Sequence, residues 1–294
     1  MKIGWIGLGP MGTPMAGRLL DAGHTLAVFN RTQSRADDLV SRGARRADTP
    51  AAAARDADIV FSMLANDEAV ESLAYGGNGI VAGLACDAVH VSTSTISPDL
   101  STRLQRAHQE HGQLYAAATV LGRPPAAQAG ELFIVLAGAE AARQRIAQPL
   151  ATLGQRVFDL GEDPAQANLV KLSLNFMIFS TIEQMSEMFA LNDKGGIAPA
   201  TLYEIMTNSF FSAPVHKNYG RLIVDENFDP PGAAVPLALK DNRLLLQAAE
   251  ALAVPVPMAS LLRDRFLAMT AKGEAGLDFA ALSRRSRDDA GLLP

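Results

Sequence analysis

Cysteine is almost missing: Cys86 stands alone among 294 residues. No intrachain disulfide can form, and no metal site can rest on thiolates. The five histidines are scattered and make neither an HxxxH nor an HExxH spacing, so the common helix-borne zinc pattern is absent. No apolar run reaches the ~18 residues of a membrane span. The N-terminus lacks a basic segment followed by a long apolar one, so it does not read as a signal peptide. Positive charge is not concentrated either, and the net charge is −5. The densest basic cluster, Arg284, Arg285 and Arg287, is followed at once by Asp288 and Asp289. It reads as a solvated helix face rather than a nucleic-acid patch. These absences predict a cytoplasmic protein with no membrane or nucleic-acid partner.

Nearly half the chain is apolar, at 48%, while aromatics are only 6%. Abundant Ala and Gly suit close helix packing, and the length suits one large domain or two ordinary ones. The first half alternates strand-like and helix-like segments. Met1–Ile6, Thr25–Phe29, Ile59–Leu64, Val89–Ser92, Phe133–Leu136 and Val157–Asp159 read as buried strands. Met11–Ala22 and Ser34–Arg42 have helical spacing and end at Gly23 and Gly43. This order predicts an α/β fold with a doubly wound parallel sheet. The pattern changes after about Gly161. Pro164–Asn192 is one long, mostly apolar helical stretch that stops at Gly195-Gly196. Ala198–Ser209, Leu237–Leu252 and Met258–Lys272 follow with helical patterns, Ser209–Gly220 reads as loop-rich, and no strand signal appears. The expected organisation is a sheet domain over residues 1–161 and an all-α domain over 162–294, joined by the long interdomain helix.

The chain opens Lys2-Ile3-Gly4-Trp5-Ile6-Gly7-Leu8-Gly9-Pro10-Met11-Gly12. Gly7, Gly9 and Gly12 form GxGxxG, which is weak alone but sits here between a strand and a helix. Gly7 permits the tight turn, Gly9 lets the backbone approach a pyrophosphate, and Gly12 lets helix pack on strand. The helix N-terminus then offers N–H groups and partial positive charge to the phosphates. This is the fingerprint of a Rossmann dinucleotide site. An NAD-preferring site carries an acid at the end of the second strand. Asn30-Arg31-Thr32 stands there instead, with no carboxylate before Asp37. Arg31 can meet a 2′-phosphate, with Asn30, Thr32 and Arg35 as hydrogen-bond donors, so NADP (NADPH) is the expected cofactor. The competing reading leaves Arg31 in solvent beside a site that takes either cofactor.

The opening Ile3–Gly12, with Met15-Ala16 after it, resembles the signature of the β-hydroxyacid dehydrogenases. That family includes 3-hydroxyisobutyrate dehydrogenases and glyoxylate/succinic semialdehyde reductases, and it is related to 6-phosphogluconate dehydrogenase and the imine reductases. Four further blocks are similar and come in the same order: Met63-Leu64-Ala65-Asn66-Asp67, Ser94-Thr95-Ile96-Ser97-Pro98, Lys171-Leu172-Ser173-Leu174-Asn175, and Lys240-Asp241. The resemblance implies cofactor contacts at Met63, Leu64, Ala65, Thr95 and Lys240. It also implies a cofactor cleft between the two domains and a homodimer or homotetramer. Ser92 stands where the family usually has Asp.

Lys171 and Asn175 are four apart, so they project from one helix face. Leu169, Val170, Leu172, Leu174 and Phe176 surround them. A lysine there must pair, reach for water or lower its pKa. Read from composition alone it snorkels from a helix edge. The resemblance implies a general acid/base that protonates the developing alkoxide during carbonyl reduction, with Asn175 orienting the substrate or the lysine. Glu187, His216, Lys217 and Tyr219 read as structural or surface residues.

One block departs from the family. Its substrate loop usually reads Asp-Ala-Pro-Val-Ser-Gly-Gly, whereas this chain has Ala117-Ala118-Thr119-Val120-Leu121-Gly122-Arg123. Leu121 cannot donate the hydrogen bond that the family's serine gives a substrate carboxylate. Arg123 and the backbone near Gly122 remain as anion contacts, so Thr95, Leu121, Gly122, Arg123, Lys171 and Asn175 form the expected substrate site. The expected substrate is a small carbonyl compound or hydroxyacid. The loss of the serine favours a bulkier carbonyl or an imine, while Lys171 favours carbonyl chemistry. A non-catalytic NADP-binding module is the third reading, and the same lysine argues against it.

Overall fold

The structure is a computed structural model that describes residues 1–292. The chain forms two compact units, Met1–Lys171 and Leu172–Pro294. In the first unit, short apolar runs too brief for helices become strands of one sheet. They are β1 (Lys2–Ile6), β2 (Thr25–Phe29), β3 (Arg45–Arg46), β4 (Ile59–Ser62), β5 (Val89–Ser92), β6 (Leu114–Leu121), β7 (Leu132–Gly138) and β8 (Gly154–Asp159). Their order is β3-β2-β1-β4-β5-β6-β7-β8. The chain leaves β1 for β2 and β3 on one side, then returns to lay β4, β5 and β6 on the other. That reversal beside β1 is the doubly wound arrangement whose carboxyl edge binds dinucleotides.

The sheet is parallel from β3 to β6, but β7 runs antiparallel to β6. The doubly wound parallel sheet expected from the sequence is present, with this one antiparallel pair added. The connection over residues 122–131 is too short for the dozen or so residues of a parallel crossover. β6 itself is absent from the sequence-based strands. Its run LYAAATVL is alanine-rich, and Ala116, Ala117 and Ala118 are fully buried, so neither β propensity nor alternation marks it. Residues 117–121, read as the family's substrate loop, are therefore strand, and only Gly122 and Arg123 lie beyond it. The expected helix Ser34–Arg42 is a 3-10 turn, Gln33–Ala36, followed by a short helix, Asp37–Ser41.

A buried polar relay crosses the sheet between β4 and the helix Pro98–Glu110. Gln113 donates its amide N–H groups to the carbonyls of Val81 (2.9 Å) and Leu84 (2.7 Å), so its oxygen must accept. His108 Nδ1 therefore donates to Gln113 Oε1 (2.7 Å), which leaves His108 Nε2 to accept from His90 Nδ1 (2.8 Å). His90 Nε2 in turn accepts from Ser62 Oγ (2.9 Å). One amide thus fixes both tautomers. Tyr115 stacks on His108 and meets His90 edge-on.

The second unit is helical. The helix Pro164–Lys194 carries the chain into it, and Pro199–Thr207, Pro214–Val224, Val235–Ala251 and Pro257–Ala271 follow, each with proline in its first turn. Proline suits that position because the N–H it lacks would be unpaired there. Phe179 packs edge-on against Phe266 and Phe279 at the centre. Among the described residues only an isolated bridge, Ala234 with Asp278, has strand character. Two expectations are corrected. His216, Lys217 and Tyr219 lie on the helix Pro214–Val224, not in a loop, because Pro214 starts a helix that the preceding Phe-Phe-Ser-Ala run hides. Arg285 is buried and pairs with Glu274 (2.9 Å) and Asp288 (3.1 Å), so the basic cluster is no solvated face.

Burial holds both relay histidines neutral: His90 lies well below its ordinary pKa, and His108 is lowered to about 4. In the unfolded chain each titrates near 6.5. Between those values the unfolded state binds more protons, so stability falls as pH drops from about 6.5 to 4. His108 alone accounts for on the order of 3 kcal/mol over that window. We expect the melting temperature of His108→Gln to fall less steeply over the same pH range. A slope equal to the parent's would show that the relay does not set acid stability.

Candidate active site

Five loops leave the carboxyl edge of neighbouring strands in the first unit: those after β1, β2, β4, β5 and β6. They carry Gly7–Gly12, Asn30–Thr32, Met63–Ala65, Thr95 and Gly122–Arg123, with Leu121 closing β6, so most of the sequence-derived candidates share one edge. The loop after β1 is pinned by its neighbours. Gly7 N–H donates to Phe29 O (2.9 Å). Leu8 N–H donates to Asn30 Oδ1 (2.9 Å), and Arg35 donates to Leu8 O (3.4 Å). Asn30 also donates to Thr32 O (2.9 Å). Its side chain therefore braces the loop after β1 against the loop after β2.

The glycines divide by role. Gly7 has φ +98°, and a Cβ there would stand 2.2 Å from Met63 O. A Cβ on Gly12 would stand 2.1 Å from Gly7 O. A Cβ on Gly9 would meet no protein atom within 4 Å. Gly7 and Gly12 are thus demanded by the fold, whereas Gly9 faces open space. Pro10 has no N–H, and the N–H groups of Gly9, Met11 and Gly12 have no acceptor among the described residues. Three donors without a protein acceptor thus lie at the start of the helix Gly12–Asp21, which fits a pyrophosphate.

At the end of β2, Arg31 and Thr32 are exposed, and Arg31 makes no hydrogen bond or ion pair among the described residues. The first carboxylate beyond them, Asp37, is held by Arg46. Ser62 closes β4, and its carbonyl accepts from Thr93 N–H (2.8 Å) and Thr93 Oγ1 (2.9 Å). Ser94 Oγ accepts from Leu64 N–H (2.8 Å). Ser94 therefore fixes the backbone of the Met63–Ala65 loop, and Thr95 beside it is half-buried.

Lys171 is half-buried on the helix Pro164–Lys194, whose first turns pack Ala167 and Val170 on Ala117, Val135 and Ala137. Thr119 Oγ1 donates to Ala167 O (3.1 Å). In the second unit, Asn175 Nδ2 donates to Asp241 Oδ2 (2.7 Å), while Lys240 Nζ lies 2.7 Å from Asp241 Oδ1. Asp241 is 5% exposed. A buried carboxylate thus joins Asn175 and Lys240, and sequence reading names it only as a neighbour of Lys240. The available signal is an acid amid the apolar positions of Val235–Ala251. Glu187 is exposed, His216 lies against Phe211, and Tyr219 packs on Phe279.

This combination of a doubly wound nucleotide edge and a helical unit defines a class, the two-domain NAD(P)-binding oxidoreductases. Residues 2–161 match the NAD-binding domain of 6-phosphogluconate dehydrogenase. Residues 165–285 match the domain described as NAD-binding of NADP-dependent 3-hydroxyisobutyrate dehydrogenase. The chain belongs to the hydroxyacid dehydrogenase family that these two domains define. It is 43% identical to the uncharacterized oxidoreductase YfjR of Bacillus subtilis (strain 168), covering 96% of this chain and 98% of that one. It is 32% identical to 2-hydroxy-3-oxopropionate reductase of Escherichia coli (strain K12), covering 96% of each. In fold it matches 3-hydroxyisobutyrate dehydrogenase from Salmonella typhimurium with a TM-score of 0.87 at 24% identity, over 97% of this chain and 99% of that one.

The glycine geometry separates two substitutions. Gly9→Ala is expected to keep the parent melting temperature but to weaken NADPH binding at least tenfold, because its methyl enters the ligand space. Gly12→Ala is expected to lower the melting temperature by several degrees, because its methyl meets backbone. Calorimetric melting and NADPH titration of both variants check this, and equal melting losses would refute the division.

Proposed function

We propose that the protein is an NADP-dependent oxidoreductase that moves a hydride between NADPH and the carbonyl of a small aldehyde, ketone or 3-hydroxyacid-type substrate. The cofactor choice rests on the exposed, unengaged Arg31 at the end of β2, with no carboxylate competing for it. Arg31, Asn30 and Thr32 hold the 2′-phosphate end, Gly7–Gly12 the pyrophosphate, and Met63–Ala65, Thr95 and Lys240 the remainder. NADPH, when bound, supplies the hydride. Lys171 gives the proton to the carbonyl oxygen as charge develops there, and takes it back in the reverse direction. Asn175, held by Asp241, orients the reacting groups. Residues 1–161 serve as the NADP-binding domain and 162–294 as the substrate and subunit-contact domain of a cytoplasmic homodimer or homotetramer.

A second reading, imine reduction, rests on Leu121. The side chain at that position cannot hold a substrate carboxylate, while Gly122 and Arg123 remain to bind one. Lys171 keeps carbonyl chemistry ahead, and it also speaks against a module that binds NADP without turnover.

Replacing Arg31 with Ala should raise the Kd for NADPH about ten- to a hundredfold and leave NADH nearly unchanged, as expected for a charge-assisted phosphate contact. Equal losses for both cofactors would remove Arg31 from 2′-phosphate recognition. For Lys171→Ala we expect turnover to fall by about 10²–10⁴ with NADPH affinity retained. Both enzymes should be assayed by NADPH oxidation on glyoxylate, succinic semialdehyde, methylmalonate semialdehyde and a cyclic imine. Aldehyde reduction lost in the variant supports the proposal; turnover of the imine alone selects the second reading.

A further inference from the structure

The geometry points to Trp5 as a positioning residue for the phosphate-binding loop, acting through the carbonyl of Gly7. This inference rests on the nucleotide-binding reading of that loop. Trp5 is the only tryptophan in the chain and is fully buried. It stands one residue before the end of β1, paired in register with Phe61 of β4, and the two rings stack at 5.4 Å with 20° between their planes. Packing alone would be satisfied by any large apolar ring. The indole does more: its Nε1–H donates to Gly7 O at 2.9 Å, inside the protein.

That hydrogen bond sets the direction of a peptide group. Gly7 N–H is already committed to Phe29 O, and Leu8 N–H to Asn30. With its carbonyl drawn inward by the indole, the Gly7 residue turns no acceptor oxygen toward the ligand space. The N–H groups of Gly9, Met11 and Gly12, which have no acceptor among the described residues, then remain for a ligand. An inward carbonyl matters because an outward one would repel a phosphate from the same short loop. The crowding agrees with this assignment. A Cβ on Gly12 would lie 2.1 Å from Gly7 O and 3.2 Å from Trp5 Nε1, so carbonyl, indole N–H and the first helical turn share one tight contact. Removing only the N–H leaves the Gly7 carbonyl buried and unpaired, and turning it outward then relieves it at the expense of the anion.

The test is Trp5→Phe, which retains a ring for Phe61 and lacks the donor, measured beside the parent by calorimetric titration with NADPH and with NADH. We expect about a tenfold rise in Kd, by the same factor for both, since they share the pyrophosphate. A second measurement needs no variant: the single indole N–H gives one resolvable amide-region resonance in ¹⁵N-labelled parent protein. It should shift saturably on addition of NADP⁺ and stay in place with adenosine, which carries no phosphate. Parent-like affinity in a folded Trp5→Phe overturns the proposal, and so does an indole resonance indifferent to NADP⁺, the deciding result if the variant does not fold. A parent that binds neither NADPH nor NADH refutes the nucleotide reading itself, and the inference with it.

Discussion

The contact between the first helical turn and the end of β1 governs the rest of the nucleotide edge. Gly12 has no side chain, so the helix Gly12–Asp21 can begin directly against the Gly7 carbonyl. A methyl group there would push the helix off the sheet. With the helix displaced, its N-terminal N–H groups would no longer meet at one place, and the packing of Met15, Ala16 and Leu19 on the sheet core would loosen. The buried core and the phosphate site thus depend on the same missing atom.

The loops around that contact are tied to one another rather than held singly. Asn30 links the ends of β1 and β2, Thr93 and Ser94 link those of β4 and β5, and the histidine relay extends from Ser62 into the body of the domain. Each tie satisfies a group that would otherwise be buried without a partner. In the helical unit Asp241 serves similarly, drawing an amide from one helix and an ammonium from its own. At the nucleotide edge, polar side chains connect loops that must agree in position.

Much of this architecture is legible in the amino-acid sequence. The turn glycines, the strand β2 and the long helix follow from local rules, because Gly, Pro and periodicity act over a few residues. Asn30-Arg31-Thr32 can be read because the absence of an acid is itself a signal. The strand β6 cannot, since a run of buried alanines carries neither propensity nor alternation. The direction of β7 depends on the length of one connection, and the helix around His216 on a single proline. Arg285 meets Glu274 eleven positions away and Asp241 meets Asn175 sixty-six positions away, and no local pattern encodes either contact. Asn30 is legible as a polar group at the right place, but its service as a brace to Leu8 is not.

The pinned loop after β1 has a consequence for control of the protein. Six of its backbone groups are already engaged, and Pro10 has one fixed torsion, so much of the cradle is set before a nucleotide arrives. Binding there orders little, which keeps the entropic penalty of association low. A loop braced in this way has few other arrangements for an effector to select. Occupancy of this edge then follows the concentration of nucleotide in the surrounding solution.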